Sequence, residues 1–245
     1  MEFESIEFDG KTVLEIGGGR GETTRELAAR MTGGGGRLIV TDISDKHFPA
    51  LQKDLERFDL AVDFIRTSAL KLAGVRPGSI DLLVCNYALS TANAIVGQGE
   101  LALYKFYEVL KPDGTLYIEE ELPFYMAASP AQRVWAEQSQ LIKATQLLSG
   151  NRPTNEYQPD VLETLITAAG FEEVDLSDEL ASLPTSEWWG SFKTRFDHYL
   201  DTIESETLRL ALNESLLMLE ANAHTTGSME VPYVILTAKK PWRVE

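Results

Sequence analysis

Four glycines follow an apolar segment in the stretch VLEIGGGRGETT, residues 13–24. A glycine-rich turn between a strand and a helix lets backbone N–H groups approach a ligand closely, and the helix N-terminus adds partial positive charge. Loops that bind dinucleotides follow Gly-x-Gly-x-x-Gly, whose third glycine lets the helix pack closely on the strand. Here Gly17, Gly19 and Gly21 alternate, and Glu22 stands where the third glycine belongs. The loop predicts a nucleotide-like ligand but departs from the dinucleotide pattern.

Two acidic residues near this loop narrow the choice of ligand. Glu15 lies two positions before Gly17, where its carboxylate would repel a pyrophosphate but would suit a cationic ammonium or sulfonium group. Asp42 ends the next apolar segment. An acid at that position can accept hydrogen bonds from both hydroxyls of a ribose, and this holds for NAD enzymes too. The two acids together favour an adenosine-bearing ligand with a positively charged end.

The surrounding sequence alternates short apolar runs with helical patterns. The runs KTVLEI, RLIVTD, AVDFIR, SIDLLVCN and GTLYIEE are predicted as strands. One helix is predicted over GETTRELAARM, and another from about Gln98 to Leu110. Between them, a helix capped by Ser44 or Asp45 is predicted to end at about Phe58. Near-continuous apolar strands separated by helices indicate a parallel sheet with helices on both faces.

The pattern changes after Glu121. Helices are predicted over about 130–148 and 160–170, FEEVDL as a strand, an aromatic-rich helical segment up to about Asn222, and VPYVILTAKK as the last strand. We therefore predict one doubly wound α/β domain, 1–245, with a mostly parallel seven-stranded sheet. Two helical insertions, about 122–158 and 178–229, are predicted to form a cap.

The composition restricts the partners of the protein. A net charge of −16 opposes binding to long nucleic acids and to anionic membranes, because both depend on basic groups. No apolar run is long enough to span a bilayer, and the N-terminal MEFESIEF is too polar for a signal peptide. The single Cys85 has no disulfide partner, and His47 and His224 lack metal-ligand spacing. We expect a cytoplasmic protein without a metal site, and the sequence does not indicate its oligomeric state.

Three motifs in order resemble those of class I S-adenosylmethionine-dependent methyltransferases. They are Glu-x-Gly-x-Gly-x-Gly after the first strand, the acid at the end of the second, and the turn KPDG before the fifth. The resemblance covers about 12–121, and more loosely 160–176 and 231–238. It implies S-adenosylmethionine as methyl donor and S-adenosylhomocysteine as product. The cofactor contacts that it implies are Glu15, Gly17, Gly18, Gly19, Gly21, Thr23, Asp42, Ile43, Ser68, Ala69, Cys85, Asn86 and Tyr87.

The chain departs from the family pattern at two places. Many members carry an acid after the third strand that contacts the adenine amino group, whereas this chain has Ser68 and Ala69. The segment CNYALS after the fourth strand has no proline and is not of the Asn-Pro-Pro-Tyr type. Methylation of nucleobase amino groups therefore loses support. In the family this segment lies beside the transferable methyl group, at the border between cofactor and substrate.

The acceptor site is predicted from the two insertions. Few residues precede the first strand, so the insertions are expected to act as a substrate lid, with an apolar aromatic pocket suited to a small molecule. The predicted substrate contacts are Tyr125, Trp188, Trp189 and Tyr199. An aromatic stripe at helical spacing is more often core, so a core or interface role of these aromatic residues stays open. Positioning alone can supply much of the rate of methyl transfer, and Glu121 or His198 is the predicted base where one is needed. The three acids Glu119–Glu121 are expected to be a solvated strand end.

The sequence thus predicts a methyltransferase acting on an oxygen, nitrogen or carbon atom of a small molecule. A methyltransferase acting on RNA or protein is the nearest alternative, and the acidic charge disfavours RNA. An NAD-dependent dehydrogenase is opposed by Glu15 and the missing third glycine. A non-catalytic module that binds S-adenosylmethionine stays open.

Overall fold

The protein is described from a computed structural model, in which residues 3, 6–123 and 127–242 are described. The chain divides into two compact units. The first contains the described residues of Met1–Glu120, Glu156–Ser177 and Val234–Glu245. The second contains the described residues of Glu121–Asn155 and Asp178–Tyr233.

The seven strands form one sheet in the order β3-β2-β1-β4-β5-β7-β6. Their bounds are β1 Thr12–Ile16, β2 Arg37–Asp42, β3 Ala61–Arg66, β4 Ile80–Asn86, β5 Leu110–Glu121, β6 Glu172–Pro184 and β7 Ser228–Lys239. The pairs β1–β2, β2–β3, β1–β4 and β4–β5 are parallel. Chain order reverses between β1 and β4, and ligands of open α/β sheets bind at the carboxyl ends of strands at such a switch point. The predicted seven-stranded, mostly parallel α/β fold is confirmed.

Helices of the first unit connect these strands. They are α1 Glu22–Met31, α2 Phe48–Leu55, α3 Leu89–Ala92, α4 Gln98–Val109 and α6 Pro159–Ala168. The middle strands are buried on both faces, since Val13, Leu14, Leu38, Leu82 and Leu83 are no more than 1% exposed. This double burial explains why their sequences are apolar throughout instead of alternating.

The second unit is built on α5 Pro130–Leu148, α7 Thr185–Leu200 and α8 Glu206–Thr226. The side chain of Ser129 accepts a hydrogen bond from Gln132 N, and Ser205 does the same for Leu208 N, so both long helices begin at a serine cap. Aromatic and aliphatic residues from all three helices form one core, which includes Trp135, Trp188 and Phe196. This unit therefore has its own hydrophobic centre.

Some predicted element bounds were wrong. The helix after β2 begins at Phe48 and ends at Leu55, and neither Ser44 nor Asp45 caps it, because no side chain caps this helix. Ser44 Oγ instead accepts a hydrogen bond from Lys46 N in a local turn. The short helix α3 was not predicted, and the aromatic-rich segment forms two helices separated by a turn.

Candidate active site

The glycine loop runs from the end of β1 to the start of α1. Gly17, Gly19 and Gly21 have φ of 76°, 50° and 87°, a left-handed conformation that side chains rarely adopt. Neighbouring atoms fill the space at two of these positions: a Cβ on Gly17 would lie 2.8 Å from Ala88 Cβ, and one on Gly21 would collide with the side chain of Leu51. Backbone conformation and close packing therefore both require glycine here.

The loop is held against the end of β2 by hydrogen bonds. Backbone N–H groups of Gly17 and Gly18 both donate to the carbonyl oxygen of Thr41, at 2.8 and 3.0 Å. The N–H of Gly19 donates to Oδ2 of Asp42 at 2.9 Å. Because the register pairs Ile16 with Thr41, these bonds lie at the carboxyl end of the sheet.

Glu15 is buried beside the loop. Its side chain is 2% exposed, and Oε2 has no hydrogen-bond partner among the described residues. Burial raises the pKa of this carboxyl to about 7, the negative charge of Asp42 adds to the shift, and the Thr24 hydroxyl opposes it. A buried carboxyl oxygen without a partner is destabilising by itself, and a cationic ligand would satisfy it.

Asp42 has two structural partners at the end of β2. Besides accepting from Gly19, its carboxylate accepts from the N–H of Ser44 through Oδ1 at 2.8 Å. Each carboxylate oxygen has two acceptor sites, so these bonds leave Asp42 able to accept from ribose hydroxyls. Ile43 follows with its side chain 67% exposed, which leaves an apolar surface at the position expected to pack on adenine.

Ser68 and Ala69 lie after β3, next along the same edge of the sheet. The carbonyl oxygen of Ser68 accepts from the N–H groups of Lys71 and Leu72, at 3.0 and 2.9 Å. These two bonds fix the turn after β3. Contact of Ser68 or Ala69 with adenine stays a prediction.

The end of β4 connects to the glycine loop through a side-chain hydrogen bond. Asn86 Nδ2 donates to Thr23 Oγ1 at 3.3 Å, which ties the strand end to the first turn of α1. The preceding Cys85 is completely buried. Burial, and then the charge of Glu120, raise the pKa of this thiol well above its usual value. Cys85 therefore packs in the core as a neutral thiol, and its contact with the cofactor stays a prediction.

Tyr87 follows Asn86 and contacts Glu119 on the neighbouring strand β5. Its hydroxyl donates to Oε1 of Glu119, and its N–H donates to the carbonyl oxygen of Glu119 at 2.7 Å. Glu119 and Glu120 are 3% and 4% exposed, so the expectation of a solvated strand end was wrong for both. Oε1 of Glu120 accepts from the N–H groups of Leu89 and Ser90, at the start of α3. The alternation of β5 could not reveal this burial, since it is imposed by the segment after β4.

Together these residues fit S-adenosylmethionine. The glycine cradle admits no Cβ at Gly17, the unpartnered Glu15 oxygen suits the ammonium group of the amino-acid end, and Asp42 suits the ribose. When bound, this cofactor supplies an electrophilic methyl group on a sulfonium sulfur.

Comparison with known proteins agrees with this fit. Residues 13–114 match the family model described as a methyltransferase domain. This part of the chain is therefore a methyltransferase domain, which supports the resemblance to the class I S-adenosylmethionine-dependent enzymes. S-adenosylmethionine is its cofactor. Curated protein sequences gave no significant match.

Solved structures that resemble the methyltransferase share its fold at low sequence identity. YcgJ from Bacillus subtilis has a TM-score of 0.63 and 14% identity, over 98% of this chain and 97% of YcgJ. Phosphoethanolamine N-methyltransferase 2 of Haemonchus contortus, in complex with phosphomonomethylethanolamine and S-adenosylhomocysteine, has a TM-score of 0.60 and 16% identity, over 97% of this chain and 50% of that one. An arsenic(III) S-adenosylmethionine methyltransferase from Chlamydomonas reinhardtii has a TM-score of 0.55 and 15% identity, over 96% of this chain and 64% of that one.

The predicted acceptor residues of the methyltransferase lie in the second unit, apart from Tyr125, which is outside the described residues. Trp188 is 7% exposed in the core of that unit, with Trp189 and Tyr199 packed against it. Tyr199 Oη accepts from Gln146 Nε2 at 3.2 Å. His198 lies on α7 and Glu121 ends β5. Their roles as substrate contacts and as a base stay predictions.

The described residues contain neither a membrane-spanning helix nor a cluster of metal ligands. No helix among them is long and apolar enough to cross a membrane. Within the same part of the chain, no group of three or more His, Cys, Asp or Glu residues is placed to hold a metal ion.

Proposed function

We propose that the enzyme transfers the methyl group of S-adenosylmethionine to a nitrogen, oxygen or carbon atom of a small molecule. The observation that carries this choice is the net charge of −16, from 38 acidic and 22 basic residues. Affinity for RNA comes largely from neutralised phosphates, and this charge opposes it. The phosphomonomethylethanolamine and arsenic(III) named for the two related structures are small acceptors, which supports the same class here.

The proposal includes roles for the residues at the donor end, which is the part of the site that would bind the methyl donor S-adenosylmethionine. The Glu15 carboxylate would pair with the ammonium group of the cofactor, and the glycine loop would follow its amino-acid end closely. Asp42 would accept from the ribose hydroxyls, with Ile43 against the adenine and Ser68 and Ala69 at its edge. The proposal also includes a cytoplasmic location, which the acidic composition and the single cysteine support.

Roles at the acceptor end rest on the aromatic residues of the second unit. Trp188 and Trp189 lie in edge contact, with ring centroids 5.5 Å apart. Trp189 is only partly buried, and exposed aromatic rings bind small apolar or cationic molecules. We propose that segments of this unit act as a lid. Trp188→Phe keeps an aromatic ring in the core and should raise the KM for the acceptor. Unchanged KM and kcat would count against the lid.

A transfer assay with methyl-labelled S-adenosylmethionine tests the proposed acceptor class. Three substrate pools are compared: a panel of small amines, phenols and carboxylic acids, purified total RNA, and an unfolded protein mixture. We expect label in the small-molecule pool and none in the RNA pool. Label confined to RNA or to protein would overturn the proposal while leaving the methyl donor unchanged.

A further inference from the structure

Tyr87 has a backbone conformation that a bulky residue rarely adopts. Its φ is 53°, in the left-handed region, where a tyrosine is an outlier. Such conformations persist only where the surroundings impose them, and they concentrate at functional sites. Here the hydrogen bond from Tyr87 N–H to the carbonyl oxygen of Glu119 helps to impose it.

The side chain of Tyr87 connects a buried acid to the protein surface. Its hydroxyl donates to Oε1 of Glu119, while the hydroxyl of Tyr117 donates to Oε2 at 3.3 Å. Within the described part of the chain, Glu119 has these two phenols as side-chain partners and no lysine or arginine. Tyr117 is completely buried, whereas Tyr87 is 45% exposed. Of the two phenols, Tyr87 is therefore the one that a ligand can reach.

The position of Tyr87 in the sheet places it beside the donor end. It directly follows β4, whose last residue Asn86 is hydrogen-bonded to Thr23 at the start of α1. The register pairs Asn86 with Glu119 on β5. Tyr87 thus stands at the carboxyl end of the strand that adjoins the glycine loop, with an acid behind it.

This arrangement has the chemistry of a proton relay. A phenol oxygen that donates its hydrogen to a carboxylate keeps lone pairs that accept hydrogen bonds. When an N–H or O–H group of the methyl acceptor donates a hydrogen bond to the Tyr87 oxygen, it can pass its proton to Tyr87. The hydroxyl proton of Tyr87 then passes to Glu119. A carboxylate is the proton acceptor in many general-base sites, and hydrogen-bond reach is the first requirement.

We propose that Tyr87 is the catalytic proton acceptor of the transfer and that Glu119 receives the proton of Tyr87. This inference rests on the proposed small-molecule function and deepens it: the acceptor carries a proton on its attacking nitrogen or oxygen. As that atom bonds to the methyl carbon, the electron pair of the broken C–S bond stays on sulfur. The acceptor's proton moves to Tyr87 Oη, the hydroxyl proton moves to Glu119 Oε1, and water finally takes it. Glu121 and His198 are not required in this step.

Three variants separate proton transfer from structural support. Tyr87→Phe removes the hydroxyl and keeps the ring. Glu119→Gln keeps an oxygen that accepts from Tyr87 but cannot receive its proton. Tyr104→Phe is the control, because Tyr104 is an exposed tyrosine on α4, 54% accessible. Acceptors are a primary alkylamine, a catechol and an alkyl thiol, with S-adenosylmethionine as donor.

We expect the wild-type enzyme to methylate the amine or the catechol. Tyr87→Phe and Glu119→Gln should lower kcat for that acceptor by about 100-fold or more, with KM changed by less than about threefold. Calorimetric affinity for S-adenosylhomocysteine should stay within about twofold of wild type, since the Tyr87 hydroxyl is bonded to Glu119 and both variants keep the Tyr87 ring and backbone that the family resemblance places beside the cofactor. Tyr104→Phe should match wild type in every measurement.

Several results would overturn the assignment. A kcat within about threefold of wild type in Tyr87→Phe would remove its catalytic role. The same result in Glu119→Gln would leave Glu119 a support only, and loss of S-adenosylhomocysteine binding in Tyr87→Phe would place the residue on the cofactor side. Methylation of the thiol alone would exclude the proposed class of acceptors, which carry a proton on the attacking nitrogen or oxygen. A wild-type enzyme that binds S-adenosylhomocysteine but methylates no small acceptor would overturn the proposed function itself.

Discussion

The donor end of the sheet and the second unit are built by different physical rules. At the donor end, glycines with positive φ and a buried acid, Glu15, whose Oε2 has no hydrogen-bond partner among the described residues, occupy fixed positions on a parallel sheet. The glycines let the backbone turn closely there, and the unpartnered Glu15 oxygen costs stability that a cationic ligand would recover. In the second unit, the large side chains of Trp188 and Phe196 fill a hydrophobic core, and their burial is explained by packing. A buried polar group that the fold leaves unsatisfied is evidence for a ligand, whereas a well-packed core side chain is not.

The largest expected effect lies in the second unit and concerns stability. Phe196 is completely buried in that core, so Phe196→Ala should lower the free energy of unfolding by about 3–5 kcal/mol. Chemical denaturation measures it. Leu217→Ala is the control, because Leu217 is an exposed leucine of α8 and should cost less than about 0.5 kcal/mol. Equal losses in the two variants would mean that this unit lacks the rigid core described above.

A smaller effect is expected from the glycine loop and concerns affinity. Gly17→Ala forces a Cβ to within 2.8 Å of Ala88 at φ 76°, and should weaken S-adenosylmethionine binding by about 100-fold, which is about 2.7 kcal/mol. Gly33→Ala has the same φ of 76° with no atom within 4 Å of the Cβ. It should cost about 1 kcal/mol of stability and leave affinity unchanged. If both variants lost affinity equally, the effect of Gly17 would come from backbone strain and not from the shape of the cradle.

The smallest effect is a pH dependence from Glu15. With its pKa raised to about 7, ionisation rises through neutral pH, so affinity for S-adenosylmethionine should increase about tenfold from pH 6 to pH 8. Calorimetry on the Glu15→Gln variant should show weaker binding and a flatter profile. An unchanged slope in that variant would assign the pH dependence to another group.

The same shift affects the stability of the free enzyme with a definite sign. The folded state holds the Glu15 proton more tightly than the unfolded chain, whose pKa is 4.5. The contribution of this group to stability is therefore present below pH 4.5 and is lost as pH rises toward 7. Glu15→Gln should remove that loss from the pH profile of the melting temperature.

The sequence predicted the features that leave a local signal and missed those that depend on long-range contacts. The strand runs, the seven-stranded sheet and the cofactor were predictable, because double burial and the glycine spacing leave signals in consecutive residues. The role of Asp42 in fixing Gly19 was not, since that bond joins residues 23 positions apart. Nor was the burial of Glu119, which depends on its contact with Tyr87, 32 positions away. Long-range contacts between polar groups have no local pattern.

Calorimetric titration with S-adenosylmethionine, S-adenosylhomocysteine and NAD tests the central claim most directly, together with the Asp42→Asn variant. Asparagine keeps an oxygen that accepts from Gly19 but lacks the carboxylate for the ribose. We predict that the wild-type enzyme binds the two sulfur ligands and not NAD, and that Asp42→Asn weakens both. Binding of NAD without a response to either sulfur ligand would contradict the account.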